Sequence, residues 1–200
     1  MLNPSTRLIG LVVMTCLLFS ACSSNPTRSQ QATASPAMEA DFAQALEHMQ
    51  AANWAGAMDI LEGLAAQNEQ LPGVWLNLGI ARSKLGDSDN AITALEQAIQ
   101  LDPANAIAHN QLGIAYRQAG DLVRAEQQYE ESLGADSRLA DAHWNLAMLY
   151  ELYLHEPARA LHHYEEYQQL TGSDDQRLSI SIAGLKEQVQ QPATITAGVR

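Results

Sequence analysis

Trp75–Pro103 reads WLNLGIARSKLGDSDNAITALEQAIQLDP, and 34 residues further on His109–Ser137 reads HNQLGIAYRQAGDLVRAEQQYEESLGADS. LGIA returns in register, then GD, then an alanine four places after the aspartate (Ala91, Ala125). Apolar residues in both stretches recur at three- and four-residue spacing, the period of a helix with one buried face. A Gly-Asp pair interrupts each run. Glycine supplies the positive φ that ends a helix, and aspartate caps the next one. The same helical hairpin is therefore written twice in succession.

Windows of that length at 38–71, 72–105, 106–139 and 140–173 bring small and large residues into line. The eighth place holds Ala45, Gly79, Gly113 and Ala147, and the twentieth holds Ala57, Ala91 and Ala125. The twenty-fourth holds Leu61, Leu95 and Tyr129, and the twenty-seventh Leu64, Ala98 and Ser132. Two antiparallel helices approach closely only where side chains are small, and larger residues fill the space around that point. The eleventh place has Arg82, Tyr116 and Tyr150. Window 140–173 needs one inserted residue near Leu154–Pro157, read as a loop that carries His155, before Ala160 and Tyr164 fall into place, and window 38–71 is degenerate in its first helix.

This pattern resembles the tetratricopeptide repeat (TPR), whose signature runs W-x2-L-G, then Y, A, F and P. Window 72–105 matches it with Trp75, Leu78, Gly79, Ala91, Ala98 and Pro103. Window 106–139 keeps Leu112, Gly113, Tyr116, Ala125 and Tyr129, with Ser137 replacing the proline. The resemblance implies an all-α, right-handed superhelix of about four hairpins. Terminal repeats leave an apolar flank that needs a cap. Residues 174–190 fit that role. Ser173 and Gln176 have capping-box spacing, and Leu178, Ile182, Leu185 and Val189 share one helix face.

The two ends read differently. Arg7 precedes an apolar run, Leu8–Phe19. It is too short to span a bilayer, which takes about 20 residues, and has the form of a signal-peptide core. The following Phe19–Cys22, FSAC, resembles a bacterial lipobox. That resemblance implies a signal peptide over 1–21, lipidation at Cys22, and an envelope protein facing the periplasm, with Ser23 pointing to the outer membrane. Cys16 would leave with the signal, so the mature chain has no disulfide and no cysteine metal site. Residues 22–37 lack large apolar side chains past the cysteine and read as a flexible tether with a reach of roughly 20 Å. Residues 191–200 read as a loose tail.

Composition narrows the function. A formal charge of -12 with 11 Lys and Arg repels phosphates, which argues against a nucleic-acid partner. No Gly-x-Ser-x-Gly elbow and no Gly-rich phosphate loop occur. His162 and His163 are helix neighbours pointing about 100° apart, a poor chelate. His109 and His143 occupy the repeat place of Trp75, which suits packing better than ligation. The expectation is a non-enzyme without metal or cofactor.

What remains is binding. In the TPR family the concave face is made by first helices and holds peptides or partner segments. Carried over place by place, the resemblance implies a groove of Leu76, Asn77, Ile80 and Lys84, then Asn110, Gln111, Ile114, Arg117 and Gln118, then Trp144, Asn145, Met148 and Glu151. Asn77, Gln111 and Asn145 share the sixth place, where amides can pair with a peptide backbone of any sequence. Leu76 and Ile80 stand at places where chaperone-type TPR domains carry carboxylate-clamping residues, so that clamp is not implied. Lipobox, tether and hairpins together are similar to the TPR lipoproteins of type IV pilus assembly. Pro157–Gly172 is also similar to periplasmic TPR proteins that accompany TonB-type energy transducers. A scaffold recruiting peptidoglycan enzymes is a further alternative.

Overall fold

A computed structural model describes residues 35–190. The signal segment 1–21, Cys22, nearly all of the tether and the tail 191–200 lie outside the described residues. Nine α-helices follow one another among those residues: α1 (Pro36–Gln50), α2 (Trp54–Gln67), α3 (Pro72–Lys84), α4 (Ser88–Leu101), α5 (Ala106–Gln118), α6 (Leu122–Ala135), α7 (Ala140–Leu149), α8 (Pro157–Thr171) and α9 (Gln176–Gln190). A single π-helical turn, Tyr150–Leu154, prolongs α7. The helices pair as α1/α2, α3/α4, α5/α6 and α7/α8, and each hairpin packs on the next. None of the described helices is long and apolar enough to cross a membrane.

The tight turns are as the Gly-Asp pairs require. Gly86 and Gly120 adopt φ of 83° and 84°. Asp87 and Asp121 then accept the backbone N–H of Asn90 and Arg124 at 3.4 and 3.0 Å, capping α4 and α6. The first hairpin turns the same way on Ala52, whose φ of 55° is strained for a residue with a Cβ. Asn53 caps α2 there, accepting from Gly56 N–H at 3.1 Å.

Helix contact depends on the small residues at the eighth place. A Cβ on Gly79 would stand 2.5 Å from Leu95 Cγ, and one on Gly113 would stand 2.6 Å from the Tyr129 ring. Ala45 and Ala147 hold the same place, fully buried. The core around these contacts is Leu61, Leu64, Leu78, Leu95, Tyr129 and Leu146, each at most 1% exposed. Burying one such side chain stabilises by about 1.5–3 kcal/mol.

Polar contacts fix how hairpins stack. Each eleventh-place residue binds a carboxylate on the preceding second helix: Arg82 Nη2 to Glu62, Tyr116 O–H to Glu96, Tyr150 O–H to Glu126, at 2.7–2.8 Å. Arg124 and Arg159 lie over the Tyr116 and Tyr150 rings at 4.4 and 3.9 Å. Each fourth-place residue, packed as its shared place implied, reaches the carbonyl six residues earlier. Trp75 Nε1 donates to Glu69, His109 Nε2 meets Pro103 and His143 Nε2 meets Ser137, at 2.9, 3.1 and 3.2 Å.

Four readings of the sequence need correction. Ser35–Ala37, assigned to the tether, start α1: Ser35 Oγ accepts Met38 N–H at 3.2 Å and Pro36 occupies the first turn. The inserted residue of the fourth window is not looped out. It is wound into the π-helical turn, which closes with Glu156 N–H on Tyr150 carbonyl at 2.9 Å and His155 at φ 55°. The cap of α9 is Asp175, which accepts Arg177 N–H at 2.7 Å, while Ser173 only supports Asp175. Val189, in the last turn of α9, is 39% exposed and does not join the buried face. Leu178, Ile182 and Leu185 are buried as the spacing implied.

Candidate functional site

First helices α3, α5 and α7 lie side by side, each touching the next, and form one continuous face. Positions three and four residues apart share a helix side, which brings the implied groove residues onto one side of each of these neighbouring helices. Leu76, Ile114, Trp144 and Met148 are half-buried against the core, with Ile80 half-buried beside them. They leave part of each apolar side chain at the surface.

The amides are not the free ladder that their shared place suggested. Asn77 Nδ2 turns back on its own helix and donates to Gly73 carbonyl at 2.7 Å. Asn145 Nδ2 donates to Asn110 Oδ1 at 2.9 Å, bridging α7 and α5. Asn110 is only 2% exposed, so it belongs to the packing between hairpins and not to an open groove. Gln111 makes no hydrogen bond to any described side chain or backbone group and is half-exposed, which makes it the freest amide of the face. Trp144 also turns inward, its ring 5.4 Å from Tyr164 and 5.0 Å from Tyr167 on α8.

Three charged side chains complete the set. Glu151 accepts the Tyr164 hydroxyl at 2.7 Å. Burial, then this bond to Glu151, raises the Tyr164 pKa above that of an ordinary phenol. Lys84 is exposed and stands 6.0 Å from the Trp54 ring centroid. Arg117 lies between two hydroxyls, Nε 3.4 Å from Tyr129 and Nη1 3.5 Å from Tyr153. Neither cation has a carboxylate partner among the described residues. Arg82, Arg124, Arg159 and Lys186 all have one. Gln118 is tied to α3, accepting Ser83 Oγ–H at 2.8 Å.

One cluster escaped the sequence altogether. His143 on α7 and His163 on α8 meet Nδ1 to Nδ1 at 2.9 Å, and His163 stacks on Tyr150. Since Ser137 carbonyl faces His143 Nε2, that nitrogen carries the proton, and His163 Nδ1–H donates to His143. Burial, then the neighbouring His143, His162 and Arg159, push His163 down to about 4. No cluster of three or more His, Cys, Asp or Glu placed to hold a metal occurs among the described residues.

A stack of helical hairpins with one continuous lateral face has the architecture of a repeat solenoid, a fold that offers an extended surface to partners. Residues 76–140 match the tetratricopeptide repeat family model. The chain is 31% identical over 97 residues to the type IV pilus assembly protein PilF of Pseudomonas aeruginosa, a match covering 48% of this chain and 35% of that one. The chain thus spans about a third of this curated relative. The crystal structure of MamA superposes with a TM-score of 0.64 at 20% identity, over 73% of this chain and 84% of that one. The first TPR domain of RPAP3 bound to an HSP90 peptide gives 0.55 at 17% identity, over 57% and 90%. These two likenesses are of fold.

Proposed function

We propose that this chain is a lipid-anchored, periplasm-facing TPR adaptor. In this reading it binds a segment of a partner protein on the face of α3, α5 and α7, within an envelope assembly such as type IV pilus or secretin biogenesis. The observation that carries the binding role is that continuous face, where half-buried Leu76, Ile80, Ile114 and Met148 alternate with amides that retain free acceptors. Part-exposed apolar side chains seat a partner's own, and amide oxygens bond its backbone N–H groups. The peptide held by the RPAP3 domain shows that a related fold can host a short segment. The similarity to PilF, with the lipobox-like Phe19–Cys22, supports the envelope setting.

The experiment is crosslinking of the full chain in cells, followed by mass spectrometry of what is captured. Secretin or pilus components support the adaptor. TonB-type transducer proteins, or wall hydrolases and synthases alone, would redirect the assignment to those assemblies. Gln111→Ala is the matching surface variant. It removes a side chain without an internal partner, so stability should stay within about 0.5 kcal/mol while capture weakens. Undiminished capture by Gln111→Ala and by an Ile80→Ala, Met148→Ala double variant would remove the partner from this face.

A further inference from the structure

The chain completes the same small unit twice. Tyr150 donates its hydroxyl proton to Glu126 at 2.8 Å, and Arg159 lies over the Tyr150 ring at 3.9 Å while pairing with Glu126 at 2.7 Å. One hairpin earlier, Tyr116 donates to Glu96 at 2.7 Å and Arg124 lies over its ring at 4.4 Å. Each unit is a tyrosine, a glutamate that takes its proton, and an arginine on the ring. A third tyrosine–glutamate pair is present, since Tyr164 donates to Glu151 at 2.7 Å. Among the described residues no arginine or lysine pairs with this glutamate or lies over this ring. Glu151 is half-buried, and its second oxygen meets no donor among the described residues. A half-buried carboxylate without a cation has given up hydration that nothing replaces.

The surroundings of Glu151 are apolar. Trp144, Met148 and Glu151 stand four and then three residues apart, one row along α7 and into the π-helical turn. Tyr164 ties both ends of the row, its ring 5.4 Å from the Trp144 ring and its hydroxyl on Glu151. Trp144 and Met148 are half-buried, so each keeps part of its surface open. The result is an apolar strip about 10 Å long that ends in an anion. Two cations share the wider face. Arg117 on α5 is held by the Tyr129 and Tyr153 hydroxyls at 3.4 and 3.5 Å and forms no ion pair with Glu151. Lys84 belongs to α3, two hairpins away from α7.

We infer that Glu151, with the strip of Trp144 and Met148, seats an arginine or lysine of the bound segment, so that the partner segment is basic. The inference rests on the reading of α3, α5 and α7 as the binding face. A long basic side chain has the matching form, an aliphatic stem that covers apolar surface and a charged end that reaches the carboxylate. Arginine fits best. Its guanidinium donates to the free Glu151 oxygen and completes the unit that Arg159 and Arg124 complete elsewhere in the chain. The net charge of -12 steers a basic segment toward the chain, an attraction that salt weakens.

The test is titration of decapeptides, matched in apolar content, into the full chain in detergent micelles. One set carries arginine, one carries citrulline at the same places and one carries glutamate. Citrulline keeps the size of arginine without its charge. Wild type should bind the arginine set at least about tenfold more tightly than the citrulline set, by a margin that shrinks as salt is added. Glu151→Gln keeps an oxygen for the Tyr164 proton, so the fold stays. It should bring arginine binding down to the citrulline level and leave citrulline binding unchanged. Arg117→Gln should leave the arginine preference at least as large. A preference that survives Glu151→Gln overturns the seat and leaves the groove standing. Equal binding of the three sets by wild type, or tighter binding of the glutamate set, does the same. Failure of all three sets to bind removes the groove itself, and the seat with it.

Discussion

At the scale of single residues, the strongest constraints are steric. Gly113 faces the Tyr129 ring with no room for a methyl group. Gly113→Ala should therefore destabilise by about 1–3 kcal/mol, the usual cost of overpacking. Gly63, in the exposed interior of α2, has open space within 4 Å of the point where a Cβ would stand. There Gly63→Ala should stabilise by about 0.5–1 kcal/mol through helix propensity. Urea midpoints of the two variants check both signs, and a loss at both sites would refute the packing argument. Ala52 offers the reverse experiment. It holds φ 55° where the next two hairpins use glycine, so Ala52→Gly should gain about 1 kcal/mol. The eighth-place contacts were legible because a period of hairpins repeats its tightest point. Asn110 with Asn145 was not, since their bond joins a fifth place to a sixth across 35 residues, and no spacing rule pairs unlike places.

At the scale of elements, the departures from the repeat come where one helix must accommodate something its neighbours lack. One extra residue was visible in the alignment of Ala160 and Tyr164, but a looped-out residue and a wound-in one have the same sequence. Backbone hydrogen bonding decides between them: inside a helix end the surplus residue keeps its N–H and C=O paired, as Glu156 on Tyr150 shows. Beside the π-turn, α7 meets α8 around His143, His163 and Tyr150. There the titration of His163 makes a sharp prediction. Its folded value is about 4, below the ordinary 6.5. As pH falls below 6.5, the unfolded chain takes up a proton that the folded chain refuses, so stability declines until about 4 and is flat in this respect below that. Urea midpoints across the window, wild type against His163→Gln, isolate the effect from the many carboxylates. The variant should lose less stability on acidification, and identical pH profiles would mean that His163 titrates normally.

At the scale of the whole molecule, stability is quasi-one-dimensional. Each hairpin contacts only its neighbours, so the total is a sum of hairpin and interface contributions. The fold class followed from that periodicity before any contact was known, because repetition shows which face of each helix must be covered. The candidate face was less legible for the same reason. Its inter-hairpin contacts, Asn145 with Asn110 and Gln118 with Ser83, depend on how neighbouring hairpins superpose and are absent from any single window. The buried side chains fall into two clusters. One runs from Ala45 through Leu64 to Leu78 and takes in Ala94, and the other runs from Ala91 and Leu95 to Leu185. They meet on the second hairpin, where Leu76 of α3 packs on the larger cluster while Val74, Leu78 and Ala94 belong to the smaller, so α1 and α2 are the outer end of the stack. Leu64→Ala removes a side chain 1% exposed in the first cluster and should cost about 2–5 kcal/mol there. Native-state hydrogen exchange should then show α1 and α2 losing protection by that full amount while α5 to α8 keep theirs, because opening the terminal hairpin breaks one interface and not the stack. Partner capture on α3, α5 and α7 should persist in this variant. Uniform loss of protection from α1 to α8 would instead make the chain a single cooperative unit, and the face could then not be separated from the end that supports it.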